Sequence, residues 1–199
     1  FFIGFSLNSF FGLILVLYFL VQILYCLKLK HLPIIELFCV ASGFMMRSIS
    51  GGVASGIFIS PWFISSVGML SLFLVVEKRK AEILNLKNSK LITRNVLKSY
   101  SLPLINKYEA VLTSSTVMTY SLWSYGQSIE GPQTPYMIFT VPLVILGIFR
   151  YQMLSEMKQI RIDKKSKINL LETPEKVIFV DRPIQIIVFS WFSMIICIT

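Results

Sequence analysis

Residues 34–57 read IIELFCVASGFMMRSISGGVASGI. A helix needs roughly 20 mostly apolar residues to cross a bilayer, and this run has that length while holding Arg47 near its middle. Wound at about 100° per residue, it places Glu36, Gly43, Arg47, Ser50 and Ala54 in one narrow sector, with Gly51 close by. Phe38, Phe44, Met45 and Ile49 fall elsewhere on the wheel. Small residues let helices pack closely, but packing alone does not call for a cation. Arg47 lies roughly 20 Å along the helix from Pro33, too deep to reach the interface easily. An intramembrane Arg is costly and marks a ligand pathway or a charged partner. Two explanations stand: a bundle cavity that holds an anion, or an internal ion pair, with Glu36 if a neighbouring helix brings the two together.

The rest of the chain has the same solvent. Hydrophobic residues make up 55% of the 199 and charged residues 15%, against about 45–50% and 25% in soluble domains; the mean hydropathy is +0.72. Apolar runs at about 9–27, 34–57, 61–76, 110–126, 136–154 and 183–199 read as spans. Residues 1–7 read as the tail of an earlier span that turns at Asn8-Ser9. The expectation is an all-α polytopic membrane helix bundle, one membrane domain over residues 1–199 and N-terminally truncated from a longer protein. No basic region precedes an apolar core in the manner of a signal peptide.

Charge sets the orientation. Lys28 and Lys30 follow the first full run, eight Lys and Arg lie from Lys78 to Lys107, and eight more from Arg150 to Arg182. Arg47 is the nineteenth. The alternate connections, around 56–61 and 127–135, carry no Lys or Arg. Positive-inside bias therefore places the three basic loops in the cytoplasm, and the net charge of +9 is read as topogenic and lipid-facing rather than as a nucleic-acid surface. Cys26, Cys39 and Cys197 lack metal-ligand or paired spacing, and His31 has no companion ligand.

Three further groups stand out. Tyr18, Gln22 and Tyr25 share a helix face, with Lys28 and Lys30 where that helix leaves the membrane. Tyr25 suits an interfacial anchor, while Lys30 together with Arg47 would suit a phosphate-rich ligand. Glu77-Lys78-Arg79-Lys80-Ala81-Glu82 closes the next span but one. Lys78 and Glu82 are spaced to pair on a helix surface for about 0.3–0.5 kcal/mol; alternatively the cluster is a second wall of a polyanion site. Near the end, Thr173-Pro174 reads as a helix start and Asp181-Arg182-Pro183 as the cap of the last span.

Together these landmarks resemble a known family. Tyr25-Cys26-Leu27-Lys28-Leu29-Lys30-His31, Gly43-Phe44-Met45-Met46-Arg47-Ser48-Ile49-Ser50-Gly51-Gly52 and Lys78-Arg79-Lys80-Ala81-Glu82 are similar to segments of decaprenyl-phosphate phosphoribosyltransferases, of the UbiA-type membrane prenyltransferase superfamily. Gly147-Ile148-Phe149-Arg150-Tyr151 and Pro174-Glu175-Lys176 through Asp181-Arg182-Pro183 fit in the same order, so the resemblance runs from about Tyr18 onward. It implies a nine-helix bundle of which about six transmembrane helices lie here. The site would open to the cytoplasm of a bacterial-type plasma membrane. The implied reaction moves phosphoribosyl from 5-phosphoribosyl diphosphate to a polyprenyl phosphate, with Mg²⁺ at the departing diphosphate. Lys30, Arg47, Lys78, Arg79 and Glu82 match substrate-binding positions.

Two departures go with it. The Asn-Asp-x-x-Asp motif that holds magnesium in the superfamily is absent from these 199 residues, so no metal ligand is assigned within them, and the piece by itself is expected to be inactive. Lys80 stands where Tyr is usual, and Gln22 where Asn is usual. The alternatives are a superfamily prenyltransferase acting on an aromatic or tetrapyrrole acceptor, and a small-anion transporter. No internal repeat supports the transporter. A homo-oligomer is left open.

Overall fold

The computed structural model describes residues 8–88, 97, 99–126, 134–160 and 180–198. The readings of residues 1–7 and of Thr173-Pro174 lie outside them. The described residues form six α-helices: α1 (Ser9–Leu27), α2 (Ile35–Ser55), α3 (Pro61–Asn88), α4 (Leu102–Tyr125), α5 (Val141–Ile160) and α6 (Arg182–Ile198). Short 3-10 turns at Leu29–His31 and Pro135–Thr140 lead into α2 and α5. Each helix packs on the next. Lys28 and Lys30, between α1 and α2, and Lys78, Arg79 and Lys80, late in α3, lie toward the same end of the bundle, its basic end, as the Glu36–Arg79 contact requires.

Among the described residues four helical segments are long and apolar enough to cross a membrane: Ser9–Leu27, Ile35–Ser55, Pro61–Leu84 and Tyr136–Glu156. The protein is a polytopic helical membrane bundle. The run at 110–126 belongs to a longer, more polar helix. Ser101 caps α4, its hydroxyl accepting from Leu104 N–H, and Pro103 sits in the first turn, so the helix starts before Lys107 and Glu109. Five of its hydroxyls, those of Ser114, Thr116, Thr119, Ser121 and Ser124, donate to carbonyls three or four residues back. That satisfies them without neighbours, as an apolar surround requires. α6 has 17 residues, or about 26 Å at about 1.5 Å per residue, close to the bilayer core of roughly 30 Å.

α3 is the central element. Its 28 residues reach about 42 Å, so its last turns stand clear of the hydrocarbon. Phe73, Val75, Val76, Ala81 and Ile83 are buried along it. Val75, Val76 and Ile83 pack with Leu37 of α2 and with Leu97, Tyr100 and Ile105 around the start of α4. Phe73 and Ala81 pack with Ile148 and Tyr151 of α5 and Ile184 of α6. In lipid such contacts stabilise through close packing rather than through exclusion of water. α1 instead presents Phe10, Leu13, Leu17, Leu20 and Leu24 outward.

Two backbone features frame α2. Gly56 ends it in the left-handed region at φ 67°, which glycine adopts without a Cβ penalty. At the start, Ile34 has φ 68° and ψ −52°, and Ile35 N–H donates to Pro33 O at 2.7 Å. That is a γ-turn of the strained hand, costly for a β-branched residue. The Tyr100 hydroxyl holds it by accepting from Ile34 N–H at 2.6 Å.

Candidate functional site

The small face of α2 lies against α1. A Cβ on Gly43 would stand 3.4 Å from Gln22 Nε2 and 3.6 Å from Tyr18 Cε2, so a methyl fits and only a larger side chain would push α1 away. One turn further along, Arg47 Nη2 donates to the Tyr18 hydroxyl at 2.8 Å. Its guanidinium carbon lies 5.5 Å from the Tyr18 ring centre and 5.4 Å from that of Phe44. Cation–π contacts of this kind contribute about 0.5–2 kcal/mol, more when desolvated. Arg47, Gln22, Tyr25, Cys39, Val40, Gly43 and Phe44 line a cavity of about 200 Å³. Among the described residues no carboxylate pairs with Arg47.

Glu36 cannot be that partner. Eleven residues separate the two on α2, roughly 16 Å of axial rise. Glu36 is instead fully buried against α3, where its Oε1 lies 3.2 Å from Arg79 Nε. Arg79 Nη1 also meets Glu82 Oε2 at 2.5 Å. The Tyr25 and Tyr100 hydroxyls are within electrostatic reach of Arg79. Tyr100 stands outside the spans, and burial pushes its phenol above the ordinary range, with the Ile34 N–H hydrogen bond opposing. Tyr25 lines the Arg47 cavity and also lies within electrostatic reach of Arg79.

Lys80 faces elsewhere. Adjacent residues on a helix point about 100° apart, so Arg79 turns to α2 and Lys80 to α4. Lys80 Nζ is buried 2.6 Å from Glu109 Oε2 and 3.8 Å from Glu156 Oε1. Gln152 Nε2 donates to Glu109 Oε1 and to Thr113 Oγ1, both at 2.9 Å. Glu77 is buried beside this network, near Glu109 and Ser155. The residue that departs from the family pattern therefore ties α3 to α4 and α5. Lys30 and Lys78 are half-buried, and neither forms an ion pair among the described residues.

The five candidate residues thus separate along the bundle: Arg47 at mid-depth, with Lys30, Lys78, Arg79 and Glu82 toward the basic end. Among the described residues no three His, Cys, Asp or Glu side chains converge as a metal-ligand set. Glu36 and Glu82 are committed to Arg79. The described residues therefore offer no carboxylate set that fits Mg²⁺.

Comparison with known proteins supplies what geometry alone does not. No protein-family model matches the chain. The chain does have curated relatives named decaprenyl-phosphate phosphoribosyltransferase. The one from Corynebacterium glutamicum is 32% identical over 181 residues, which is 90% of this chain and 51% of the relative. Those from Mycobacterium tuberculosis and Mycolicibacterium smegmatis are each 27% identical over 92% of this chain and 57% of their own length. The chain spans about half the length of the curated relatives it matches.

Sequence reasoning missed Glu109, Gln152 and the pairing of Arg150 with Asp181. The last is bidentate, with Arg150 Nε and Nη2 donating to Asp181 Oδ2 and Oδ1 at 3.0 and 2.9 Å. Asp181 Oδ2 also accepts from Ile184 N–H at 3.2 Å, the cap foreseen for the last helix. The signal for Glu109 was a lone acid inside a run of hydroxyl and apolar residues, which implies a buried cation on a neighbour.

Proposed function

We propose that the protein transfers the phosphoribosyl group of 5-phosphoribosyl diphosphate to a polyprenyl phosphate within the membrane, at a site opening to the cytoplasm. The single observation that carries this reading is Arg47: a guanidinium at mid-depth, on a cavity wall, without a carboxylate partner among the described residues. The names of the relatives supply the reaction. The donor carries phosphate at both ends, one on C5 and a diphosphate on C1. Cations at two heights of one bundle suit such a molecule, with Arg47 below and Lys30 and Lys78 at the mouth.

In the reaction an oxygen of the lipid phosphate forms a bond to C1 of the ribose as the bond from C1 to the diphosphate breaks. Positive charge develops on the ring, and negative charge collects on the leaving diphosphate. Catalysis then rests on holding the reactants in line and neutralising the leaving group. Lys30, Arg47 and Lys78 provide that charge. Arg79 and Glu82 take part as an ion pair at the mouth, where Glu82, 21% exposed, keeps one carboxylate edge open. The acceptor enters sideways from the bilayer. Mg²⁺ belongs to the proposal through the family resemblance, with its ligands outside this chain.

The test supplies radiolabelled 5-phosphoribosyl diphosphate, or a labelled prenyl diphosphate, to membranes expressing the native gene, with polyprenyl phosphate added. Label should pass to lipid from the first donor and not from the second. Transfer from the prenyl donor alone would replace this reading with that of an aromatic or tetrapyrrole prenyltransferase.

A further inference from the structure

Arg47 is a long side chain on a helix face, and an arginine so placed samples many rotamers unless its head is held. Three contacts hold it here. The Tyr18 hydroxyl on α1 accepts from Nη2, and the rings of Tyr18 and Phe44 flank the guanidinium carbon at nearly equal distances, 5.5 and 5.4 Å. Phe44 precedes Arg47 by three residues, about 60° round the helix and one turn back, close enough for its ring to reach the guanidinium. Tyr18 comes from another helix, α1, which packs on α2 at Gly43. Of the guanidinium's five N–H groups, Tyr18 takes one. The others have no partner among the described residues, and Arg47, which is exposed, lines a cavity with Gln22 and Tyr25.

We infer that Tyr18 is a positioning residue for Arg47, fixing the guanidinium so that its remaining N–H groups present a planar fork to a phosphate of the donor. The inference rests on the reading of Arg47 given above. A fork that is aimed in advance loses little freedom when the phosphate arrives. Without the hydroxyl the charge stays but its direction is lost. This contact is assigned to the donor, so the effect is expected on the donor KM and not on that of the lipid acceptor.

Tyr18→Phe separates the two contributions of the side chain, since it keeps the ring and removes the hydroxyl. In native-gene membranes it should raise the donor KM about tenfold while kcat and the KM for polyprenyl phosphate stay within twofold. Tyr18→Leu, which removes the ring as well, should raise the donor KM about a hundredfold. A merely structural role for Tyr18 would disturb both substrates together. Equal changes in both KM values, or no change in either, overturn the inference. Arg47→Ala in the same assay keeps the two claims distinct. Its loss of turnover alongside an unaltered Tyr18→Phe sinks the positioning role only. Wild-type turnover in Arg47→Ala sinks the reading beneath it.

Discussion

Replacing Glu109 by leucine isolates the buried network that joins α3, α4 and α5. Lys80 is 1% exposed, and among the described residues its close partner is Glu109 Oε2 at 2.6 Å. Removing a single member of a buried ion pair strands the other, at a cost of about 3–5 kcal/mol. Glu156 lies 3.8 Å from Lys80 but its side chain is 65% exposed, and Glu77 is close enough to share the charge. Both compensate in part and set the expectation at about 3 kcal/mol, the low end of that range. Gln152 keeps Thr113 as its acceptor, so its loss is small beside the stranded ammonium. In reversible unfolding from detergent micelles followed by circular dichroism, Glu109→Leu should lose about 3 kcal/mol. Lys80→Met combined with Glu109→Leu should recover most of it, because an apolar pair of similar volume replaces a buried ion pair at little cost. A single variant that loses less than about 1 kcal/mol, the value of an exposed ion pair, would refute the reasoning. So would a double variant no more stable than the single one.

Three other outcomes follow from the same contacts. Tyr100→Phe removes the acceptor of Ile34 N–H beside a strained turn and should cost about 1 kcal/mol in the same unfolding assay, with Ile34→Gly restoring part of it by relieving the positive φ. Hydrogen bonds from Arg150 hold the Asp181 carboxyl below its usual range, with burial opposing. Its stabilisation is therefore complete above the unfolded pKa of about 3.9 and is lost as pH falls through the lower folded value; the hydrogen-exchange protection factor at the start of α6, with the intrinsic exchange rate divided out, should fall on acidification in the wild type and stay flat with pH in Asp181→Asn. Gly43→Ala fits at ordinary contact distance from Gln22 and Tyr18, whereas Gly43→Leu must push α1 away. The larger residue should cost about 1–3 kcal/mol and reduce donor use more than acceptor use in initial-rate kinetics.

Much of this was legible from residue order. The one-sided pattern of residues 34–57 follows the helical period, so α2 and its small face emerge from the sequence alone, and the alternation of basic and neutral connections gives the antiparallel succession. The pairing of charges was not legible. Glu36 and Arg47 share a sector of one helix, but sector says nothing of depth, and roughly 16 Å of rise sends Glu36 to Arg79 instead. Lys78, Arg79 and Lys80 look alike as a string. Their helical rotation gives Arg79 to α2 and Lys80 to α4, which depends on where those neighbours stand. The early start of α4 was readable, since Ser101 and Pro103 form a helix-start signal, but an apolar-run criterion passes over Lys107 and Glu109.

The central claim is that Arg47 anchors a phosphorylated donor inside the membrane. Its most direct test measures radiolabelled phosphoribosyl transfer to polyprenyl phosphate by membranes carrying Arg47→Ala, with equal amounts of inserted protein confirmed by protease protection. Transfer should vanish while insertion stays at the wild-type level. Transfer at the wild-type rate would contradict the account.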